Sequence, residues 1–151
     1  MITVGHQFDV PVPPQAVFAL ISDFGRRPQW LDLVSAEQTS DGPVGPGTTF
    51  REVNRILGRD KEVRFEVLEL VPSQRLVYQS EPTGGFAARV EWDLAAGETG
   101  TEIGLQVHLR LTGLWRLLRL FGSRPLKSQV ERDMASLEQL LVTGSGQPQS
   151  S

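Results

Sequence analysis

The sequence predicts an α+β domain in which one curved antiparallel sheet grips a long C-terminal helix. Two observations carry that reading. From residue 33 to residue 111, apolar and polar side chains alternate in runs separated by glycine- and proline-rich turns, as half-buried antiparallel strands do. Beyond them Leu126, Val130, Met134, Leu137 and Leu141 step by four, four, three and four, which lays one apolar stripe along a helix. Residues 124–142 span roughly 28 Å at about 1.5 Å per residue, the length of a nine-residue strand at ~3.3 Å per residue. One helix can therefore cross the whole buried face of the sheet.

The elements follow in order. Ile2, Val4, His6, Phe8, Val10 and Val12 share one parity, against Thr3, Gln7 and Asp9 on the other, and form the first strand. Pro13-Pro14 stops it and suits the first turn of a helix, which Ala16, Val17, Leu20 and Ile21 continue at helical spacing. Asp23 and Gly25 close that helix, and Arg26-Arg27-Pro28-Gln29-Trp30 supplies a second short helical turn. Strands are expected over 33–39, 48–57, 61–70, 75–80, 86–94 and 103–111. The turns between them are Asp41–Gly47, Gly58-Arg59-Asp60 and Pro72-Ser73. The last two strands alternate most cleanly: Phe86, Ala88, Val90, Trp92 and Leu94, then Ile103, Leu105, Val107, Leu109 and Leu111. Ser123 is the expected N-cap of the terminal helix, with Pro125 tolerated in its first turn. The layout is a sheet of six to seven strands, two short helices after the first strand, and one long helix.

Length and composition bound the function. The 151 residues make one domain, expected over 1–142, and the apolar-free stretch 143–151 reads as a disordered tail. There is no cysteine, which removes disulfides, thiolate metal sites and cysteine nucleophiles together. Fifteen basic against eighteen acidic residues give a net charge of −3, which argues against broad nucleic-acid binding. No apolar run approaches the ~20 residues of a membrane span, so a soluble, cytoplasmic protein is the expectation. No metal-ligand spacing and no Gly-x-Ser-x-Gly elbow appears, and no cofactor or metal is implied.

The two histidines stand in separate strands. His108 falls on the wet parity beside Gln106 and Arg110, and His6 shares the buried parity of Val4 and Phe8. The glycine-rich turn 42–47 leads into a strand rather than a helix and contains no lysine, so it reads as a structural turn and not a phosphate loop. The strand 48–57 departs from plain alternation. If Phe50 points inward, Glu52 and Asn54 do too, which places polar groups in an otherwise apolar chamber, as ligand pockets do to orient a guest. A buried Glu52 could serve as general acid or base; the alternative is a strand wet on both parities. Tyr78 shares parity with Leu76 and Ser80, and Trp30, Phe65 and Trp92 are further candidate walls or plain core. Leu114–Lys127 is amphipathic, with Arg116, Arg119, Arg124 and Lys127 among apolar residues. It reads as a peripheral membrane contact, a lid over a cavity mouth, or a packed helix with solvated arginines.

Val10-Pro-Val-Pro-Pro-Gln-Ala-Val-Phe18, Ser22-Asp23 and Pro28-Gln29-Trp30 resemble the opening of the polyketide cyclase/dehydrase and lipid-transport family, within the START-like, birch-pollen-allergen-like superfamily. The resemblance continues through Gly42–Thr48, Gly58-Arg59, Pro72–Leu76, Gly100-Thr101 and the terminal helix. It implies a helix-grip fold with a deep apolar cavity between sheet and helix. It also implies a partner, an apolar or amphipathic small molecule such as a lipid, polyketide or quinone, for which strand parity and residue type offer Trp30, Phe50, Glu52, Asn54, Phe65, Tyr78 and Trp92 as contacts. Two other readings stay open at this point. One is an aromatase/cyclase or dehydratase in which Glu52, Tyr78 or His6 handles protons. The other is a lipid-transfer or interaction module working through Leu114–Lys127. Fold alone decides none of these.

Overall fold

The structure, a computed structural model, describes residues 1–56, 58–82, 85–113, 116–117, 120 and 122–145. Its elements are β1 (Ile2–Val10), α1 (Pro14–Ile21), a 3₁₀ helix (Phe24–Gln29), β2 (Ser35–Gln38), β3 (Thr49–Ile56), β4 (Arg59–Val71), β5 (Arg75–Ser80), β6 (Phe86–Ala96), β7 (Thr101–Leu111) and α2 (Arg124–Ser145). The seven strands form one sheet in the order β1-β7-β6-β5-β4-β3-β2. Every neighbouring pair is antiparallel. The α+β helix-grip architecture expected from the sequence is the architecture observed.

Register decides which side chains face the helix. His6 pairs with Leu105, Leu105 with Trp92, Trp92 with Leu76, and Phe65 with both Phe50 and Ser80. Directly paired residues share a face, so these all lie on the inner face. The stripe Val130, Met134, Leu137 and Leu141 of α2 is buried with Val4, Trp92, Leu94, Ile103 and Leu105 in one core. Truncating a fully buried member such as Leu137 to alanine is expected to cost about 2–5 kcal/mol.

Curvature has a local cause. Between Val67 and Glu69 the register of β4 against β5 shifts, which leaves Leu68 as the extra residue of a β-bulge. A bulge bends its strand and raises the local twist. It also returns Leu70, paired with Leu76, to the inner face after Val67.

Several boundaries differ from the expectation, and β4, β6 and β7 each run one or two residues longer at an end than the alternation marks. β1 stops at Val10, because Pro11 has no N–H to donate, although Val12 is still buried. β2 shortens to Ser35–Gln38. The turn expected at Gly58-Arg59-Asp60 tightens, since Ile56 pairs with Arg59 and Gly58 takes φ 77°, a left-handed conformation that suits glycine. α2 runs to Ser145, three residues into the stretch expected to be a tail, and 146–151 lie outside the described residues.

Candidate functional site

The site begins in the 3₁₀ helix. Such a helix has three residues per turn, so side chains three apart point the same way. Phe24 and Arg27 obey this spacing, and Trp30, just past the helix end, continues it; all three are buried. Phe24 stacks on Phe50 of β3, with ring centroids 3.8 Å apart, and Phe50 stacks on Phe65 of β4 at 4.9 Å. Trp30 meets Trp92 of β6 edge-on at 5.8 Å.

Arg27 stands at the centre of these rings. It is 4% exposed, and its guanidinium carbon lies 5.0 Å from the Phe50 ring centre and 5.2 Å from that of Tyr78. Its Nε and Nη2 donate to one oxygen of Glu52 at 3.0 and 2.9 Å, and Nη1 donates to the Tyr78 hydroxyl at 3.0 Å. Trp92 Nε1 donates to the same hydroxyl at 3.1 Å. The other carboxylate oxygen of Glu52 accepts a long 3.4 Å bond from Asn54. Burial works against a charged Arg27, but Tyr78 and Glu52 outweigh it and hold the guanidinium above its ordinary pKa. The cation is therefore permanent, and Glu52 is its counter-ion.

The structure thus brings Trp30, Phe50, Glu52, Asn54, Phe65, Tyr78 and Trp92 together on the inner side of the sheet. Phe50, Tyr78 and Trp92 pack tightly enough to be almost wholly inaccessible, with Arg27 filling the space between them. Sequence reasoning missed Arg27. Its signals were the period-3 spacing Phe24, Arg27, Trp30 and an inward Glu52 that needed a cation.

His6 lies apart from this network. It is half-buried on the inner face of β1, its ring 5.4 Å from that of Phe8. His108 is on the outer face, with Nδ1 3.0 Å from Thr3 Oγ1 and Nε2 3.4 Å from Glu91. The turn 42–47 joins two strands, with Gly42 and Gly47 both at φ 93°. Leu114, Trp115, Leu118, Arg119 and Phe121 of the amphipathic segment lie outside the described residues. Leu117 and Leu120 of the same segment are exposed.

The inner face is uneven. At one end Trp92, Leu94, Ile103 and Leu105 are fully buried. At the other, Phe86, Ala88, Val90, Val107 and Leu109 face the same way and are only half-buried. At this end β5 stops pairing with β6 beyond Arg89, so Phe86–Ala88 lack a β5 partner strand, and Ser80 Oγ instead accepts the Ala88 N–H at 2.8 Å. A cavity of about 660 Å³ opens at this end of the sheet against its outer face, walled there by Arg89, Glu91, His108 and Arg110, with Ser80, Phe86 and Ala88 of the inner face reaching its edge. That volume lies within the ~300–1,000 Å³ of ordinary small-molecule sites.

A smaller notch of about 290 Å³ lies between the 3₁₀ helix and α2, walled by Trp30, Asp32, Gln129, Arg132, Asp133 and Ser136 among others. Gln129 donates to Asp133 at 2.9 Å, and Arg132 donates to Gln129 at 2.7 Å. Burial pushes the Asp133 carboxyl above the usual aspartate value. Gln129 and Arg132 oppose that shift, while Asp32 and Glu52 add to it.

A seven-stranded curved antiparallel sheet closed over a C-terminal helix defines a helix-grip protein. The chain belongs to the polyketide cyclase/dehydrase and lipid transport family, which it matches over residues 1–142. It is 24% identical over 142 residues to uncharacterized protein Rv1546 of Mycobacterium tuberculosis, covering 93% of this chain and 99% of that protein. The crystal structure of TTHA0849 from Thermus thermophilus superposes with a TM-score of 0.77 and 25% identity, over 95% of this chain and 99% of that one. The crystal structure of Ara h 8.0201 gives a TM-score of 0.71 at 18% identity, over 93% of this chain and 97% of that one. Membership supports a ligand-binding role in general. Among the described residues no helix is long and apolar enough to cross a membrane. Nor does any group of three or more His, Cys, Asp or Glu side chains there come together as a metal site.

Proposed function

We propose that this protein binds a hydrophobic or amphipathic small molecule, lipid-, polyketide- or quinone-like, at the half-buried end of its inner face. The observation that carries the reading is the unevenness of that face. Phe86, Ala88, Val90, Val107 and Leu109 hold apolar surface that stays half-buried, and Phe86 and Ala88 also reach the edge of the cavity of about 660 Å³ that opens on the outer face. Apolar burial at about 25 cal/mol per Å² would supply most of the affinity, and a few polar wall groups would set orientation. In this reading Trp30, Phe50, Glu52, Asn54, Phe65, Tyr78 and Trp92 form the packed floor that ends the site.

The geometry favours binding over proton chemistry. Glu52 is buried and paired with Arg27, the Tyr78 hydroxyl is buried and accepts twice, and His6 stands apart from both. A general base must come within hydrogen-bond reach of the reacting atom.

The test is uptake of an uncharged, polarity-sensitive dye such as N-phenyl-1-naphthylamine, with organic extraction of the purified protein and mass spectrometry. Saturable dye fluorescence is expected, along with at least tenfold weaker binding by Leu109→Trp, which fills the open end. A protein that takes up no dye and releases no small molecule overturns the proposal.

A further inference from the structure

The outer face of the sheet is a ladder of ion pairs that breaks off at one end. Arg51 meets Glu37 and Glu62, Arg64 meets Glu62, Arg75 meets Glu69 and Asp93, and Arg89 meets Glu91. Arg110 of β7 belongs to the same face, since it pairs directly with Ala87 while His108, two residues earlier, pairs with Arg89. Arg110 is exposed, and among the described residues no carboxylate meets it.

Arg110 and Arg89 both stand in the wall of the cavity of about 660 Å³ on that face. The one carboxylate of the wall is Glu91, and it is already engaged: Arg89 lies 3.0 Å from it, His108 3.4 Å and Arg75 3.6 Å. The other ring nitrogen of His108 is 3.0 Å from Thr3 Oγ1, so both nitrogens of that imidazole have partners. With Arg89 balanced by Glu91, the wall keeps one uncompensated positive charge, that of Arg110. A planar guanidinium with its donors free suits an oxyanion, which it can hold through two parallel hydrogen bonds. Met1, Pro82, Phe86 and Ala87 add apolar surface to the same wall. An anion on an apolar body meets both features. An uncharged lipid would leave the arginine unspent, and a polyanion would find one free cation with Glu91 beside it.

We infer that this outer-face cavity binds a small organic monoanion, a carboxylate or sulfonate on an apolar body, with Arg110 as its ion-pair partner. The site is separate from the inner-face ligand proposed above, and neither reading depends on the other.

Two dyes with one skeleton test it. 8-Anilino-1-naphthalenesulfonate carries the aromatic frame of N-phenyl-1-naphthylamine plus one sulfonate. Calorimetric titration of the parent with the sulfonate is expected to saturate. Arg110→Gln should weaken it about three- to tenfold, and Arg110→Glu by about tenfold or more. Arg64→Glu makes the same change in net charge elsewhere on the outer face and should stay within about twofold of the parent. Ala87→Phe, which crowds the apolar wall, should weaken the sulfonate with no change in charge. The uncharged amine should bind Arg110→Glu as it binds the parent. A parent that binds no sulfonate saturably overturns the inference, and so does an Arg110→Glu variant that binds it as well as Arg64→Glu does. Equal loss of both dyes in Arg110→Glu also overturns it, by placing them in one shared site. A protein that takes up no uncharged dye removes the inner-face reading alone, because the sulfonate titrations stand without it.

Discussion

Arg27 Nη2 lies 2.9 Å from Glu52 Oε2, and the two side chains are only 5% and 11% exposed. Twenty-five residues of chain separate the partners, so the pair ties the 3₁₀ helix to β3. Buried pairs are costly to desolvate and more costly to break, because the survivor is left charged in an apolar setting. Glu52→Gln should therefore cost about 3–5 kcal/mol, read as a lower urea midpoint at unchanged m-value. Arg27→Met with Glu52→Met, which removes both charges, should be far milder and can come out near neutral. A single Glu52→Gln variant as stable as the parent would show that the pair is not the tie described.

Tyr78 makes a second prediction. Its hydroxyl is the acceptor for both Arg27 Nη1 and Trp92 Nε1. Tyr78→Phe keeps the ring stacked edge-on among Phe24, Phe50 and Phe65 while stranding two buried donors. Loss of about 1–3 kcal/mol is expected. The Trp92 indole environment should change with it, which tryptophan fluorescence reports. Unaltered stability and emission would mean that the two donors have other acceptors.

These two residues also mark where the sequence stops being readable. β6, β7 and the stripe of α2 were legible because each has a single period and one buried face. The inward turn of Glu52 and Asn54 was legible for the same reason, since parity in a strand is strict. Arg27 was not. Arg26-Arg27-Pro28 looks like an exposed turn, and the partner that neutralises Arg27 is distant in sequence. Nor could the sequence show how far the aromatic side chains would fill the inner face. That depends on side-chain volumes meeting across four elements, and alternation carries no information about it. The bulge at Leu68 was hidden similarly, because an extra residue reads as a flaw in the pattern until the partner strand is known.

Asp133 gives a pH prediction. Burial raises its carboxyl above the ordinary value, with Asp32 and Glu52 adding to the shift and Gln129 and Arg132 opposing it. In the window between the ordinary aspartate pKa of about 3.9 and the raised folded value, the native state binds more protons than the unfolded chain. Stability therefore falls as pH rises through that window, and the full cost of the buried charge remains above it. Asp133→Asn should stabilise the protein at pH 7 and lose this advantage as the pH drops toward 4. Urea midpoints for parent and variant at several pH values check it. An advantage that grew on acidification would contradict the sign.

Gly100 carries the last prediction. It sits in the turn between β6 and β7, where its carbonyl accepts the Gly97 N–H at 2.8 Å. A Cβ added at Gly100 would run into the carbonyl of Val10 and come within 2.8 Å of the Pro11 Cα, and both obstacles are backbone. No rotamer relieves such a clash. The next residue fixes the same contact from the other side, because Thr101 Oγ1 donates to the Val12 carbonyl at 2.7 Å. The hairpin is thus clamped to the chain where β1 hands over to α1, and Gly100→Ala must push the two apart. Overpacking of this kind costs about 1–3 kcal/mol, and here the strain falls on hydrogen bonds as well as on packing. Gly45→Ala is the control, since nothing lies within 4 Å of a Cβ built there. Thermal melts of the two variants should separate them, with Gly100→Ala lowered by several degrees and Gly45→Ala close to the parent.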